Sequence, residues 1–127
     1  MGSIHELGRW GEAIAVRYFE ERGWAILDRN WRSGHAEVDL VIRRAALMAF
    51  VEVRTRAAER SGHPLESITV AKRREIERVA RAWLTTRGGD LSACCAFRFD
   101  TVAVTTSRGR PAKVCHVPDA WRIGDSG

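Results

Sequence analysis

The sequence predicts one α/β domain, residues 1–127, in which helices flank a mixed β-sheet. Segments with helical and strand periodicity succeed one another as helix, three strands, helix and two further strands, an order typical of such a sheet. The 127 residues are 45% hydrophobic and 29% charged. That length suffices for one buried core, the composition is that of an ordinary globular protein, and no repeat or linker divides the chain.

The first half of the chain predicts one helix and three strands. Apolar residues recur at helical spacing over residues 7–22, and Gly23 ends the helix. Strand patterns follow at 24–31, 36–43 and 47–55. The last two strands are separated by a short turn, so we expect them to form an antiparallel hairpin.

The second half predicts a loop, a helix and two strands. Residues 57–67 contain Gly and Pro and are expected to form a surface loop. Thr69 is placed to cap a helix that ends at residues 88–89. A strand is predicted at 97–105 and a short final strand at 114–117.

Composition bears on location and partners. Lys and Arg number 21 against 16 Asp and Glu, giving a net charge of +5 and a pI near 9.8, which favours polyanionic partners. Only Lys72 and Lys113 are lysines, and such an arginine skew can reflect genome composition. No apolar run approaches the roughly 20 residues of a membrane span, and no signal peptide is evident, so we expect a cytoplasmic protein without membrane association.

Charged residues interrupt the second and third strands. Residues two apart share a strand face, so Glu37 and Asp39 lie together, as do Glu52 and Arg54 on the next strand. A charge inside a strand is costly unless it is paired or binds a metal. If the strands pair, Asp39 and Glu52 approach within the span of one Mg²⁺, which takes one or two carboxylates together with water and phosphate oxygens. The alternative is an ion-pair network on a solvated sheet face.

Further charged residues have two interpretations each. Glu12 on the first helix could face this cluster or solvent, and Glu37 is expected to support it rather than bind metal. Arg56, Lys72 and Arg73 are candidates for contact with a phosphate backbone. The alternative for the second helix is a solvated face with pairs such as Glu77–Arg81. His116 is expected to be an isolated surface or packing residue, and the five tryptophans are mostly core candidates: Trp10, Trp24, Trp31, Trp83 and Trp121.

Several of these segments resemble the YraN-like family of small bacterial proteins. They are Gly11-Glu12, Asn30-Trp31-Arg32, Ala36-Glu37-Val38-Asp39-Leu40-Val41, Phe50-Val51-Glu52-Val53-Arg54-Thr55-Arg56, Lys72, Arg98-Phe99-Asp100 and His116-Val117-Pro118-Asp119-Ala120-Trp121. The match covers nearly the whole chain. The family is similar to the restriction-endonuclease-like superfamily and to archaeal Holliday-junction resolvases, whose signature is D…(D/E)xK. The resemblance therefore implies a restriction-endonuclease-like core and a nuclease-like site.

The resemblance also assigns roles to individual residues. It places Asp39 and Glu52 as the two acids that bind Mg²⁺ or Mn²⁺ in active members, and Glu12 as an additional acid near the metal. Arg54 occupies the lysine position of the signature, and Ala36 replaces a glycine that is usual in the family. Arginine stays protonated in proteins and cannot act as a general base, although it can hold a phosphate.

Two functional hypotheses follow. The first is a metal-dependent, endonuclease-like protein that hydrolyses phosphodiester bonds of DNA, with Glu12, Asp39, Glu52 and Arg54 as the catalytic set. The second is a non-catalytic protein that keeps the nuclease fold and binds nucleic acid or recruits a partner. Arg54 is the residue that most separates them, and a homodimer is left open under both.

Overall fold

The computed structural model describes residues 4–57, 68–89, 91, 95–107 and 109–124. The elements, in chain order, are α1 (Ile4–Glu21), β1 (Ala25–Ser33), β2 (Ala36–Arg44), β3 (Leu47–Ala57), α2 (Val70–Thr86), β4 (Ala96–Ser107) and β5 (Arg110–Trp121). This order confirms the predicted succession of helix, three strands, helix and two strands. The predicted loop falls almost entirely on residues 58–67, which lie outside the described residues.

The five strands form one sheet in the order β1-β2-β3-β4-β5. β3 and β4 are parallel and the other neighbours are antiparallel, so the predicted mixed sheet is confirmed. β5 runs for twelve residues, and the prediction of a short strand at 114–117 was wrong. Because β5 lies at the edge of the sheet, Pro111 and Pro118 are tolerated within it and do not end it.

The two helices cover opposite faces of the sheet. The buried residues of α2 pack on one face against Phe50 and Phe99, and those of α1 pack on the other against Leu40 and Val51. The central strands β2, β3 and β4 are therefore buried on both sides over much of their length, as expected for an α/β fold with restriction-endonuclease-like architecture. No helix in the described part of the chain is long and apolar enough to span a bilayer.

Gly11 fixes the distance between α1 and β3. It is buried, and a Cβ added there would overlap Thr55 Oγ1 and approach Thr55 Cβ to 3.2 Å. Glycine thus allows the helix backbone to lie directly against the strand. The close contact brings the following residue, Glu12, towards the charged residues of the sheet.

We expect Gly11→Ala to lower the free energy of unfolding by about 1–3 kcal/mol, because the added methyl group overpacks this contact. Gly8→Ala is a matched control in the same helix, since nothing lies within 4 Å of its added Cβ. It should raise stability by about 0.5–1 kcal/mol through helix propensity. Urea unfolding of both variants measures the difference. Equal effects at the two positions would contradict the close approach at Gly11.

Candidate functional site

β2 and β3 separate at the point where the predicted acids lie. The two strands pair as far as Leu40 and Val51. Past this pair, the start of β2 continues against β1 and the end of β3 continues against β4. Asp39 and Glu52 are the first residues past the end of the β2–β3 ladder. The fork between the strands therefore presents one carboxylate from each side.

Strand alternation also changes at the fork. Strict alternation would place Val38 on the same face as Leu40, but Val38 packs in the cluster that contains Val41. Asp39 lies at this change of face, and its Oδ2 accepts the amide N–H of Val53 at 2.7 Å. A side chain of β2 thus reaches the backbone of β3 where the ladder has ended.

Asp39 is partly buried beside Glu52. Burial, and after it the neighbouring Glu52 carboxyl group, raise the pKa of Asp39 to about 9, although the N–H of Val53 and the charge of Lys72 oppose the shift. Two carboxyl groups this close share a proton rather than ionise together. At neutral pH the pair therefore retains a proton unless a cation replaces it.

Glu52 is buried, with 6% of its surface exposed. Its Oε2 is buried and has no hydrogen-bond partner within the described ranges. Two cationic groups face this oxygen, Lys72 Nζ at 3.9 Å and Arg54 Nη2 at 4.0 Å. Both distances are too long for hydrogen bonds. A buried carboxylate oxygen in this condition is costly.

Lys72 reaches Glu52 from the N-terminal end of α2. Thr69 caps this helix as predicted, since its side chain accepts the amide N–H of Lys72 at 3.1 Å. Lys72 Nζ also donates to Glu75 Oε2 at 2.9 Å. Burial lowers the pKa of Lys72, but the bond to Glu75 and the charge of Glu52 outweigh it, so the net pKa is raised and Lys72 is cationic at the site.

Glu12 approaches the same cluster from α1. Burial raises its pKa, a hydrogen bond from the Asn30 side chain lowers it, and the charges of Asp39 and Glu37 raise it further, so that the net pKa is raised. Asn30 has a left-handed backbone with φ of 49°, which asparagine tolerates better than most residues. Asn30 was not predicted as part of the site. Its sequence signals were an asparagine within an otherwise strand-like segment and its place in the Asn30-Trp31-Arg32 segment of the family resemblance.

The remaining predicted site residues take different positions. Glu37 pairs with Arg32 of β1 at 3.7 Å and lies close enough to raise the pKa of Glu12. Arg56 follows Arg54 on the Glu52 face of β3 by alternation. Arg73 does not join this group. Its Nε donates to Ile68 O at 3.2 Å, and its guanidinium lies 5.9 Å from the centre of the Trp121 ring.

The donor set fits a hard divalent cation. Among the described residues no group of three or more His, Cys, Asp or Glu side chains is placed to hold a metal ion. The Asp39–Glu52 pair could supply two carboxylate ligands. Mg²⁺ and Mn²⁺ accept one or two carboxylates and complete their coordination with water and phosphate oxygens. The unpartnered Glu52 Oε2 and the proton-binding pair match that requirement.

A second polar cluster, which was not predicted, lies on β4 and β5. Asp100 is fully buried and accepts two bonds from Arg98 at 2.8 and 3.1 Å and one from the Asp119 amide at 3.0 Å. His116 Nε2 lies 2.7 Å from Asp100, and His116 Nδ1 lies 3.3 Å from the Tyr18 hydroxyl of α1. Burial raises the pKa of Asp100, but these bonds more than reverse it and lower the net pKa. The prediction that His116 is isolated was wrong.

The tryptophans divide between core and surface. Trp24, Trp83 and Trp121 are buried, and Trp31 is partly buried against the α2 cluster. Trp10 is the exception, at 42% exposed, so the prediction that the tryptophans are mostly core residues is confirmed.

A five-stranded mixed sheet with a helix on each face and an acidic fork between two strands defines a protein of restriction-endonuclease-like architecture. Residues 11–104 match the family described as Uncharacterised protein family UPF0102. The chain belongs to this family, which confirms the YraN-like resemblance.

Relatives named UPF0102 protein match nearly the full length of the chain. The protein from Chlorobium chlorochromatii (strain CaD3) is 40% identical over 126 residues, which cover 95% of each chain. That from Syntrophotalea carbinolica is 43% identical over 117 residues, or 92% of each chain. That from Anaeromyxobacter dehalogenans is 44% identical over 115 residues, covering 91% of this chain and 83% of the relative.

Proposed function

We propose that this protein is a metal-dependent, endonuclease-like enzyme that hydrolyses phosphodiester bonds in nucleic acid, with DNA as the principal substrate. The observation that carries the proposal is the Asp39–Glu52 pair at the strand fork. Burial and the neighbouring Glu52 raise the pKa of Asp39 to about 9, and Glu52 Oε2 is buried without a hydrogen-bond partner in the described part of the chain. Asp39 and Glu52 would hold Mg²⁺ or Mn²⁺.

The side chains around this pair have distinct tasks in the proposed reaction. A divalent cation, when bound, supplies an activated water and stabilises the charge that develops on the phosphate. Lys72 and Arg54 bring two positive charges to within about 4 Å of Glu52, where they would hold non-bridging phosphate oxygens. Arg54 remains protonated and acts as a binding group. Asn30 holds the Glu12 carboxyl group close to Asp39.

The non-catalytic alternative draws support from Arg54, which stands where the superfamily signature has lysine. Lys72 weakens that argument. Its ammonium group, supplied by α2 instead of β3, lies 3.9 Å from Glu52 Oε2. The fork therefore has a lysine even though the strand does not. This favours the enzymatic hypothesis over a purely binding one.

The decisive experiment compares the wild type with Glu52→Gln on branched, single-stranded and duplex DNA in the presence of Mn²⁺. We expect cleavage by the wild type and a loss on the order of 10³-fold in the variant, because one of two metal-binding carboxylates is removed. Gel electrophoresis of end-labelled strands measures the rate.

Glu75→Gln is the matched control, since Glu75 contacts Lys72 and was not assigned to the metal. It should retain most of the activity. If the wild type cleaves none of the substrates, or if cleavage survives unchanged in Glu52→Gln, the enzymatic proposal fails. Binding of DNA without cleavage would support the alternative.

A further inference from the structure

Three arginines form an exposed stripe on the outer face of α2. They lie four and three residues apart, which places them on one side of the helix, away from the residues that pack on the sheet. The stripe consists of Arg74, Arg78 and Arg81. With a rise of about 1.5 Å per residue, it extends over about 10 Å of the helix axis.

No acidic side chain pairs with this stripe within the described residues. Among the described residues, the ion pairs made by the helix and its C-cap are Lys72–Glu75, Lys72–Glu52 and Arg87–Asp28. The interpretation of α2 as a solvated face gave Glu77–Arg81 as an example of its ion pairs, and these two side chains do not pair. Glu77 Oε2 instead accepts the indole N–H of Trp121 at 3.0 Å, so this carboxylate is directed to the buried tryptophan rather than to the arginines.

The charge distribution of α2 is unfavourable for the stability of the helix itself. Its first turn contains no acidic residue but does contain Lys72 and Arg73, whereas the helix dipole favours negative charge at that end. Arg74 and Arg78 are like charges four residues apart, which also destabilises a helix. These repulsions are relieved when a polyanion binds. The arrangement therefore indicates a binding surface rather than a solvated face balanced by ion pairs.

We propose that the Arg74–Arg78–Arg81 stripe binds the phosphate backbone of a nucleic-acid segment that flanks the segment at the fork. Guanidinium groups bind phosphate oxygens in bidentate fashion, and about 10 Å of duplex presents about six phosphates. The stripe begins at Arg74, two residues after Lys72, whose side chain approaches Glu52. From there it runs along the helix away from the fork. This inference rests on the proposed function in that the bound polymer is the proposed substrate.

The test compares the triple variant R74Q/R78Q/R81Q with the wild type. Fluorescence anisotropy in the presence of EDTA measures the binding of each protein to a labelled duplex DNA of about 30 base pairs. EDTA removes divalent metal, so binding is measured without cleavage. Loss of three phosphate contacts should reduce the slope of log K against log salt by about 3. It should weaken binding on the order of 100-fold at about 0.1 M salt. The melting temperature should stay unchanged or rise, because like-charge repulsion is removed.

The matched control is R9Q/R17Q/R110Q, which removes the same charge from exposed positions on α1 and β5. It should keep most of the affinity and of the salt slope. Equal losses in the two triple variants would show a general charge effect and overturn the inference, as would unchanged binding in the stripe variant.

Two further probes identify the polyanion. If an RNA duplex of the same sequence binds, and its binding depends equally on the stripe, the result supports backbone binding and identifies RNA as a ligand. Stripe-dependent binding to anionic lipid vesicles that exceeds binding to DNA would overturn it. Failure of cleavage with stripe-dependent binding intact would refute the proposed enzymatic function alone. Loss of the stripe effect with cleavage intact would refute this inference alone.

Discussion

Asp39→Asn is expected to stabilise the metal-free protein and to remove its response to Mn²⁺. The asparagine keeps an oxygen to accept the Val53 N–H and gains an amide that can donate to Glu52. It therefore replaces two competing carboxyl groups with a hydrogen-bonded pair. Substitutions that relieve strain at functional sites commonly add about 0.5–2 kcal/mol of stability. Thermal unfolding with and without Mn²⁺ measures both effects.

The pH dependence gives the same prediction a second test. A carboxyl group whose pKa is raised in the folded state binds its proton more tightly there than in the unfolded chain, so its stabilising contribution is lost as the pH rises. With the pKa of Asp39 raised to about 9, the advantage of Asp39→Asn should be small near pH 4 and grow until about pH 9. The wild type should recover stability when Mn²⁺ replaces the proton.

Asp119→Asn is a matched control for this substitution. Asp119 also has a left-handed backbone, with φ of 50°, which asparagine tolerates. Its carboxylate forms an exposed pair with Arg122 at 3.0 Å, so the change should be within about 1 kcal/mol and leave the response to Mn²⁺ intact. If Asp39→Asn retains the full thermal shift with Mn²⁺, the assignment of Asp39 as a metal ligand is wrong.

The order of elements could be predicted because periodicity is a local property of the chain. Apolar spacing on α1 and α2, alternation on β2 and β3, and the cap at Thr69 each involve residues within a few positions of one another. The fork could not be predicted in this way. It forms because β1 pairs with the start of β2 while β4 pairs with the end of β3. That competition between partners is not encoded in any one segment, although the two acids that occupy the fork were identified.

The contacts of Lys72 and Asn30 could not be predicted for a related reason. Lys72 was predicted as a phosphate contact, but its approach to Glu52 depends on how α2 packs on the sheet. The contact of Asn30 depends on how α1 brings Glu12 to β1. Asp100 is another case. It carried a signal similar to that of Glu52, a charge within a strand between an aromatic and a β-branched residue, and such a charge is costly to bury unless it is paired. The cost of burying Asp100 is offset by Arg98 and His116, which lie on neighbouring parts of β4 and β5.

Asp100→Ala is expected to be the most destabilising substitution considered, at about 3–5 kcal/mol. It removes the buried carboxylate that Arg98 and His116 contact, so their buried polar groups lose this partner. It also removes the acceptor for the Asp119 amide. Asp100→Asn should cost less, about 1–3 kcal/mol, because an oxygen remains to accept a hydrogen bond. Urea unfolding at pH 7 measures both. As a control, Arg122→Gln removes only the exposed ion pair with Asp119 and should lower the free energy of unfolding by about 0–1 kcal/mol.

The lowered pKa of Asp100 fixes how this cost varies with pH. A carboxylate with a depressed pKa in the folded state stabilises the protein above its unfolded pKa of about 4, and that stabilisation is lost as the pH falls through the folded value. The difference in free energy of unfolding between the wild type and Asp100→Asn should therefore have its full value at pH 7 and decrease below about pH 4. A gap that is constant down to pH 2 would mean that packing, rather than the charge held by Arg98 and His116, accounts for the stability that Asp100 provides.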